Sequence, residues 1–167
     1  MMKMDSIDKI IDQWATEKPE LDTEPMSILG RMMRLFKYLE AEVANTHKAF
    51  GLKLGEFDVL ATLRRSGSPF TLTPSEMMNS VMLTSGAMTN RLDRLEDKEL
   101  IQRQHSESDR RSVSISLTPK GLDLIEKALL AHVETQHRLT RSLNKEQKET
   151  INSLFKQWLD GFEPVQK

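Results

Sequence analysis

Most residues able to do chemistry in this chain lie between Thr73 and Thr118, and they suit contact with a polyanion better than catalysis. Arg110 and Arg111 follow Asp109 in a polar stretch. A planar guanidinium fits a narrow, electronegative minor groove, and Asp109 is placed to orient Arg111. Upstream, Thr84, Ser85, Gly86, Ala87, Thr89, Asn90 and Arg94 bring small and hydrogen-bonding side chains together. Small residues let a helix end approach a DNA backbone while its free N–H groups face phosphate. Thr89, Asn90 and Arg94 can then donate to or accept from base edges. Thr73 and Ser75, opening the helix before, join this DNA-contacting set. A catalytic constellation is missing. His47, His105, His132 and His137 are scattered without metal-ligand company, and there is neither a Gly-rich phosphate loop nor a nucleophile elbow. No enzyme, cofactor or metal is expected.

The elements that must hold these residues are legible. Thr73, Pro74 and Glu76 make a Thr-x-x-Glu capping box with proline in the first helical position, so a helix runs from there to about Ser80. Thr84 and Ser85 cap a second helix reaching about Glu99. Met88, Leu92 and Leu95 form its apolar stripe, while Gly86, Asn90, Asp93 and Asp97 take the opposite face. Two helices joined by a short turn, the second polar outside, make a helix-turn-helix. Val113, Ile115 and Leu117 then alternate with Ser112, Ser114 and Ser116, which predicts a half-buried strand. Its partner is expected at Ile101 to His105, and the turn between them carries the arginines as a wing.

Before this head, apolar residues at helical spacing predict helices at Asp5 to about Thr16, Pro25 to about Phe50 and Leu54 to about Arg65. After it come a helix capped by Thr118 and started by Pro119, and a last one capped by Asn144 with Gln147. Terminal helices with apolar stripes around a compact head suggest an intertwined homodimer. The 167 residues suit one domain, and the absence of cysteine excludes disulfides and thiol-based sensing. There is no membrane span and no signal-peptide core, so a cytoplasmic protein is expected. A net charge of −1 argues against bulk affinity for nucleic acid, and placed arginines must do the work.

The run LTSGAMTNRLDRLEDKELIQRQHSESDRRSVSISLTPKG resembles the MarR family of winged-helix transcriptional regulators, and with the upstream helices the likeness covers nearly the whole chain. It carries a recognition helix, an Asp-x-Arg wing (Asp109, Arg111) and a Leu-Thr-Pro-x-Gly lead into the next helix. The resemblance implies a mainly helical fold with a small β wing (α+β). Residues 1–52 and 119–167 would form a dimerisation region and residues 53–118 a winged helix-turn-helix. It also implies a homodimer on a pseudo-palindromic double-stranded DNA operator, its half-sites about 10 bp apart. Repression is the family default. The alternative from another class is a helical dimer acting through protein contacts alone.

Four positions match the urate-responsive branch of that family, which has an extra N-terminal helix: Trp14, Asp58, Arg91 and Arg103. The resemblance implies that Trp14 and Arg91 hold an anionic purine, that Asp58 responds to its charge, and that Arg103 couples to the DNA-reading helix. Gln104 departs from the branch, which often has a second arginine there. The residues support part of this. Arg91 lies about 60° from the Met88 stripe, so its guanidinium turns inward and needs Asp58 or a bound anion as partner. An indole can stack on a planar ring. The bland reading makes Asp58, Arg91 and Arg103 a structural ion network. The expected effector is a small anionic aromatic, urate-like or a phenolic carboxylate.

Overall fold

The computed structural model describes residues 3–81, 85–105 and 113–163; the side chains of Val81, Ser85, Gly86, Ala87 and His105 are outside that description. Thr84 and the wing residues Asp109, Arg110 and Arg111 lie outside the described residues.

Among the described residues, seven helices and three short strands follow in the order α1 (Ser6–Glu17), α2 (Glu24–Ala49), α3 (Leu54–Arg65), β1 (Thr71–Leu72), α4 (Pro74–Val81), α5 (Ser85–Asp97), β2 (Ile101–His105), β3 (Val113–Leu117), α6 (Pro119–Leu139) and α7 (Lys145–Asp160). The three strands form one antiparallel sheet in the order β1-β3-β2. Ile101 lies opposite Leu117 and His105 opposite Val113, the register of an antiparallel ribbon. Strand β1 has no counterpart in the sequence reading, because two residues carry no periodicity. It pairs Thr71 with Ser116 and Leu72 with Ile115.

Helix ends follow their caps closely. Asp5 caps α1 through the N–H groups of Ile7 and Asp8, and Asn144 caps α7 reciprocally with Gln147. α2 ends in a Schellman turn: Leu52 N–H donates to His47 O and Gly51 N–H to Lys48 O, with Gly51 in the left-handed region at φ 69°. α5 ends the same way, two residues earlier than its sequence suggests. There the left-handed position is held by Glu99 at φ 59°, a conformation a side chain disfavours.

The core belongs to the head. Phe57, Val59, Leu60 and Leu63 of α3 pack with Met77 of α4, Met88, Leu92 and Leu95 of α5, Ile101 and Ile115 of the sheet, and Ile125 and Ala128 of α6. α6 enters against the sheet at Gly121, where a Cβ would lie 1.9 Å from the Leu100 carbonyl oxygen, so no side chain fits. By contrast α7 contains no buried residue, and Leu154, Phe155, Trp158, Leu159 and Phe162 stand exposed along it. α2 likewise exposes Ile28, Leu29, Met33, Leu35 and Phe36. No helix among the described residues is long and apolar enough to cross a membrane.

Candidate nucleic-acid interface and effector site

The helix-turn-helix is α4 and α5, fastened to α3. Thr73 caps α4 as its sequence requires: its hydroxyl accepts from Glu76 N–H at 3.3 Å, and Glu76 Oε2 accepts from Thr73 N–H and Oγ1, both at 2.8 Å. Thr73 is half-buried and holds the helix start, while Ser75 is exposed beside it. On α5, Met88, Leu92 and Leu95 are buried, which leaves Thr89, Asn90 and Arg94 exposed on the outer side. Ser85, Gly86 and Ala87 occupy the first turn of α5.

Two carboxylates on α5 would repel DNA, and β2 counters them. Arg103 Nη2 lies 2.6 Å from Asp93 Oδ1, its Nη1 lies 3.5 Å from Glu96 Oε2, and its backbone N–H donates to Glu96 Oε1 at 3.2 Å. Arg103 therefore ties the sheet to the recognition helix and is separate from Asp58 and Arg91. Just past its C-terminal end, α5 is also tied to α3. Lys98 Nζ donates to Gly51 O at 2.9 Å and to Glu56 Oε2 at 2.7 Å, and Glu56 also caps α3 through Lys53 N–H. Burial pushes the Glu56 carboxyl up, but the Lys98 hydrogen bond, Lys53 N–H and the charges of both lysines outweigh it and hold the group low.

Arg91 is the unusual member of the recognition helix. Its guanidinium turns inward and lies over Gly55, where a Cβ would come within 2.1 Å of Cζ and 2.3 Å of Nε. Only glycine gives that group its place. The buried Nη1 has no hydrogen-bond partner, and among the described residues no carboxylate pairs with Arg91 within ion-pair distance. Asp58, one turn along α3 from Gly55, is close enough to feel its charge. Although Asp58 as a residue is exposed in the single chain, protein crowds its carboxyl. Burial raises its pKa against the attraction of Arg91 and His132. Asp58 lines a cavity of about 310 Å³ with Ala61, Thr62, Arg65 and Ser80.

Behind Asp58 sits a pair of histidines foreseen only as scattered residues. His47 Nε2 of α2 and His132 Nδ1 of α6 are 3.0 Å apart, and the His47 ring stacks on Phe57 with centroids 3.8 Å apart. Desolvation, then the neighbouring His132, lowers His47 to about 4. Desolvation lowers His132 too, against the pull of Asp58. The His47 ring is neutral at pH 7, and the two rings with Phe57 act as an aromatic joint between α2, α3 and α6.

Trp14 is elsewhere. It lies on α1, which is pinned to α2 by Arg31 against Asp5 and Asp8 and by Ile7 against Gly30. It is 37% exposed and lines a recess with Gln13, Thr16 and Glu17 that shares no residue with the Asp58 cavity. Of the four residues expected at an effector site, Asp58 and Arg91 come together, Arg103 pairs with α5 among the described residues, and Trp14 stands apart. Gly55, Arg65 and the histidine pair went unnoticed in the sequence. The signal for Gly55 was a glycine in the first turn of an otherwise well-formed helix. Among the described residues, no three His, Asp or Glu side chains cluster to hold a metal ion.

Residues 52–113 match the MarR family. The chain is 36% identical over 148 residues to the HTH-type transcriptional regulator PecS of Dickeya dadantii, covering 89% of each protein. In structure it resembles a MarR mutant of Escherichia coli complexed with operator DNA (TM-score 0.71, 24% identity, 82% of this chain and 97% of that one). It also resembles Bordetella bronchiseptica BpsR, solved in work on regulation of its DNA binding by 6-hydroxynicotinic acid (TM-score 0.71, 22% identity, 80% and 98%). At those identities the two structures speak for the winged-helix fold, and the PecS relationship carries the kinship. The chain belongs to the MarR family and is a DNA-binding transcriptional regulator.

Proposed function

We propose that the protein is a homodimeric repressor that leaves a pseudo-palindromic operator when a small anionic aromatic molecule binds beside α5. One observation carries the effector half of this reading: a recognition-helix guanidinium over Gly55 whose buried Nη1 is unpartnered, next to a carboxyl it does not pair with. A buried N–H left without an acceptor is costly, so an anion that reaches Arg91 gains the interaction that Asp58 leaves unmade. Because Arg91 is part of the helix that reads DNA, a state in which it grips a ligand differs from the DNA-bound state. The ligand then shifts the balance between them. That BpsR is regulated by a hydroxylated pyridine carboxylate fits the same chemical class. Urate and salicylate are the probes of choice.

Residues 1–52 and 119–167 supply the dimerisation region, and residues 53–118 the reading head. Support comes from the apolar faces of α2 and α7: each large side chain there would gain roughly 1.5–3 kcal/mol on burial, which a second copy provides. DNA is contacted by Thr73, Ser75, Thr84, Ser85, Gly86, Ala87, Thr89, Asn90 and Arg94, and by the wing through Asp109, Arg110 and Arg111. Trp14 joins the effector site only through the partner protomer or a movement of α1. Arg103 acts on operator affinity by neutralising Asp93 and Glu96. A role through protein contacts alone is disfavoured by the kinship with DNA-binding regulators. Calorimetry tests the effector: urate or salicylate should bind the wild-type protein and bind Arg91→Ala at least about tenfold more weakly. No heat with either ligand, or equal binding to the variant, would remove the effector site and leave the regulator.

A further inference from the structure

Asp58, Ala61, Thr62 and Arg65 recur at i, i+3, i+4 and i+7 on α3 and line one cavity, whose fifth wall is Ser80 at the C-terminal end of α4. Arg65 closes it. Its Nη2 donates to the Ser80 carbonyl at 2.7 Å and to Thr62 Oγ1 at 3.3 Å, a bond across fifteen residues of sequence. A helix C-terminus carries orphan carbonyls and partial negative charge, so a guanidinium there stabilises the last turn. This is the turn that leads to the recognition helix. The remaining Arg65 donors, Nε and Nη1, make no hydrogen bond among the described residues. Along α3, Asp58 lies between Gly55, which carries the Arg91 guanidinium, and Arg65, seven residues or about 10 Å further along the axis.

We propose that Arg65 is a positioning residue that transmits occupation of the Asp58 cavity to the helix-turn-helix by exchanging the Ser80 carbonyl for the ligand. The inference rests on the effector reading above and deepens it by naming the output. A carboxylate or urate anion offers Arg65 a stronger, bidentate partner than one backbone carbonyl does. An anion in the cavity meets the Arg65 guanidinium and draws it from the Ser80 carbonyl. α4 then loses its C-terminal tie, and the turn into α5 is released.

The test measures coupling apart from affinity in the full-length protein. Operator binding is followed by anisotropy with and without saturating urate, for wild type, Arg65→Gln and Arg65→Lys. Urate affinity is measured separately by calorimetry, and amide hydrogen exchange is followed in α4. In wild type, urate weakens operator binding by about tenfold or more and speeds exchange in α4. In Arg65→Gln, urate binds more weakly but still reaches saturation, α4 exchanges fast without it, and the ratio of operator Kd values at saturation falls towards one. Arg65→Lys keeps a point charge near the carbonyl and restores part of the ratio. If Arg65→Gln binds urate and keeps the wild-type ratio, the relay through Arg65 is wrong and the effector site stands. If wild type takes up no urate and no salicylate, the effector reading fails and this inference falls with it. Slow, wild-type exchange in α4 of Arg65→Gln contradicts the tie itself.

Discussion

At the scale of the residue, the contact between Arg91 and Gly55 decides most. A methyl group at position 55 would occupy the space of the guanidinium, but the end of an arginine side chain can swing away. Gly55→Ala should therefore cost little stability, with the gain in helix propensity of about 0.5–1 kcal/mol offsetting the displacement. Its melting temperature should stay within a few degrees of wild type while urate binding is lost. A large fall in melting temperature instead would mean that Arg91 is a packing residue. The histidine pair gives a prediction in pH. His47 has an ordinary value of 6.5 and falls to about 4 in the fold, so the unfolded chain takes up the proton first as pH drops. The stability conferred by a neutral His47 is complete above about 6.5 and is lost progressively as pH falls towards 4. Glu56, held low, adds to the acid loss, whereas the raised Asp58 opposes it. Urea denaturation between pH 7 and 5 should show stability falling in wild type and a shallower slope in His47→Gln. Equal slopes would place the proton uptake elsewhere.

At the scale of the element, two junctions set the attitude of α5. Arg103 holds Asp93 and Glu96, so Arg103→Ala should leave two carboxylates unopposed beside DNA. Operator binding should weaken by about tenfold at low salt and less at high salt, as fluorescence anisotropy would record. At the other junction, Glu99 occupies the left-handed position that ends α5. Glu99→Gly relieves backbone strain of about 1 kcal/mol, and thermal unfolding should shift upward by a few degrees. An unchanged or lowered midpoint would mean that the exposed pairing with Lys120 outweighs the strain. These elements differ in how far they were legible. The capping boxes at Thr73 and Asn144, the alternation of Val113, Ile115 and Leu117, and the Met88 stripe are local patterns, and the helices and ribbon follow from them. Strand β1 and the Schellman end at Glu99 depend on partners distant in sequence or on an unfavourable residue, so propensity could not place them. In the proposed effector site, the inward turn of Arg91 followed from its angle on the helix. The space it fills, and the Arg65 tie to Ser80, depend on how α3 packs against α4 and α5.

At the scale of the whole molecule, the head has a closed core while α2 and α7 leave their apolar faces open. That asymmetry is what a two-copy assembly resolves, with the helical ends shared and two heads held at a fixed spacing. Replacing Leu154 and Trp158 together by aspartate should convert a dimer to monomers in sedimentation and abolish operator binding while the ligand-free head keeps its fold. In the proposed cycle this dimer reads DNA and an anion at Arg91 stops it. The most direct measurement is anisotropy of the purified protein on DNA from upstream of its own gene, titrated with urate and then salicylate, with Arg91→Ala alongside. The account predicts tight, salt-sensitive binding that a ligand releases in wild type and not in the variant. Release of both proteins at the same ligand concentration, or no sequence-specific binding, would contradict it.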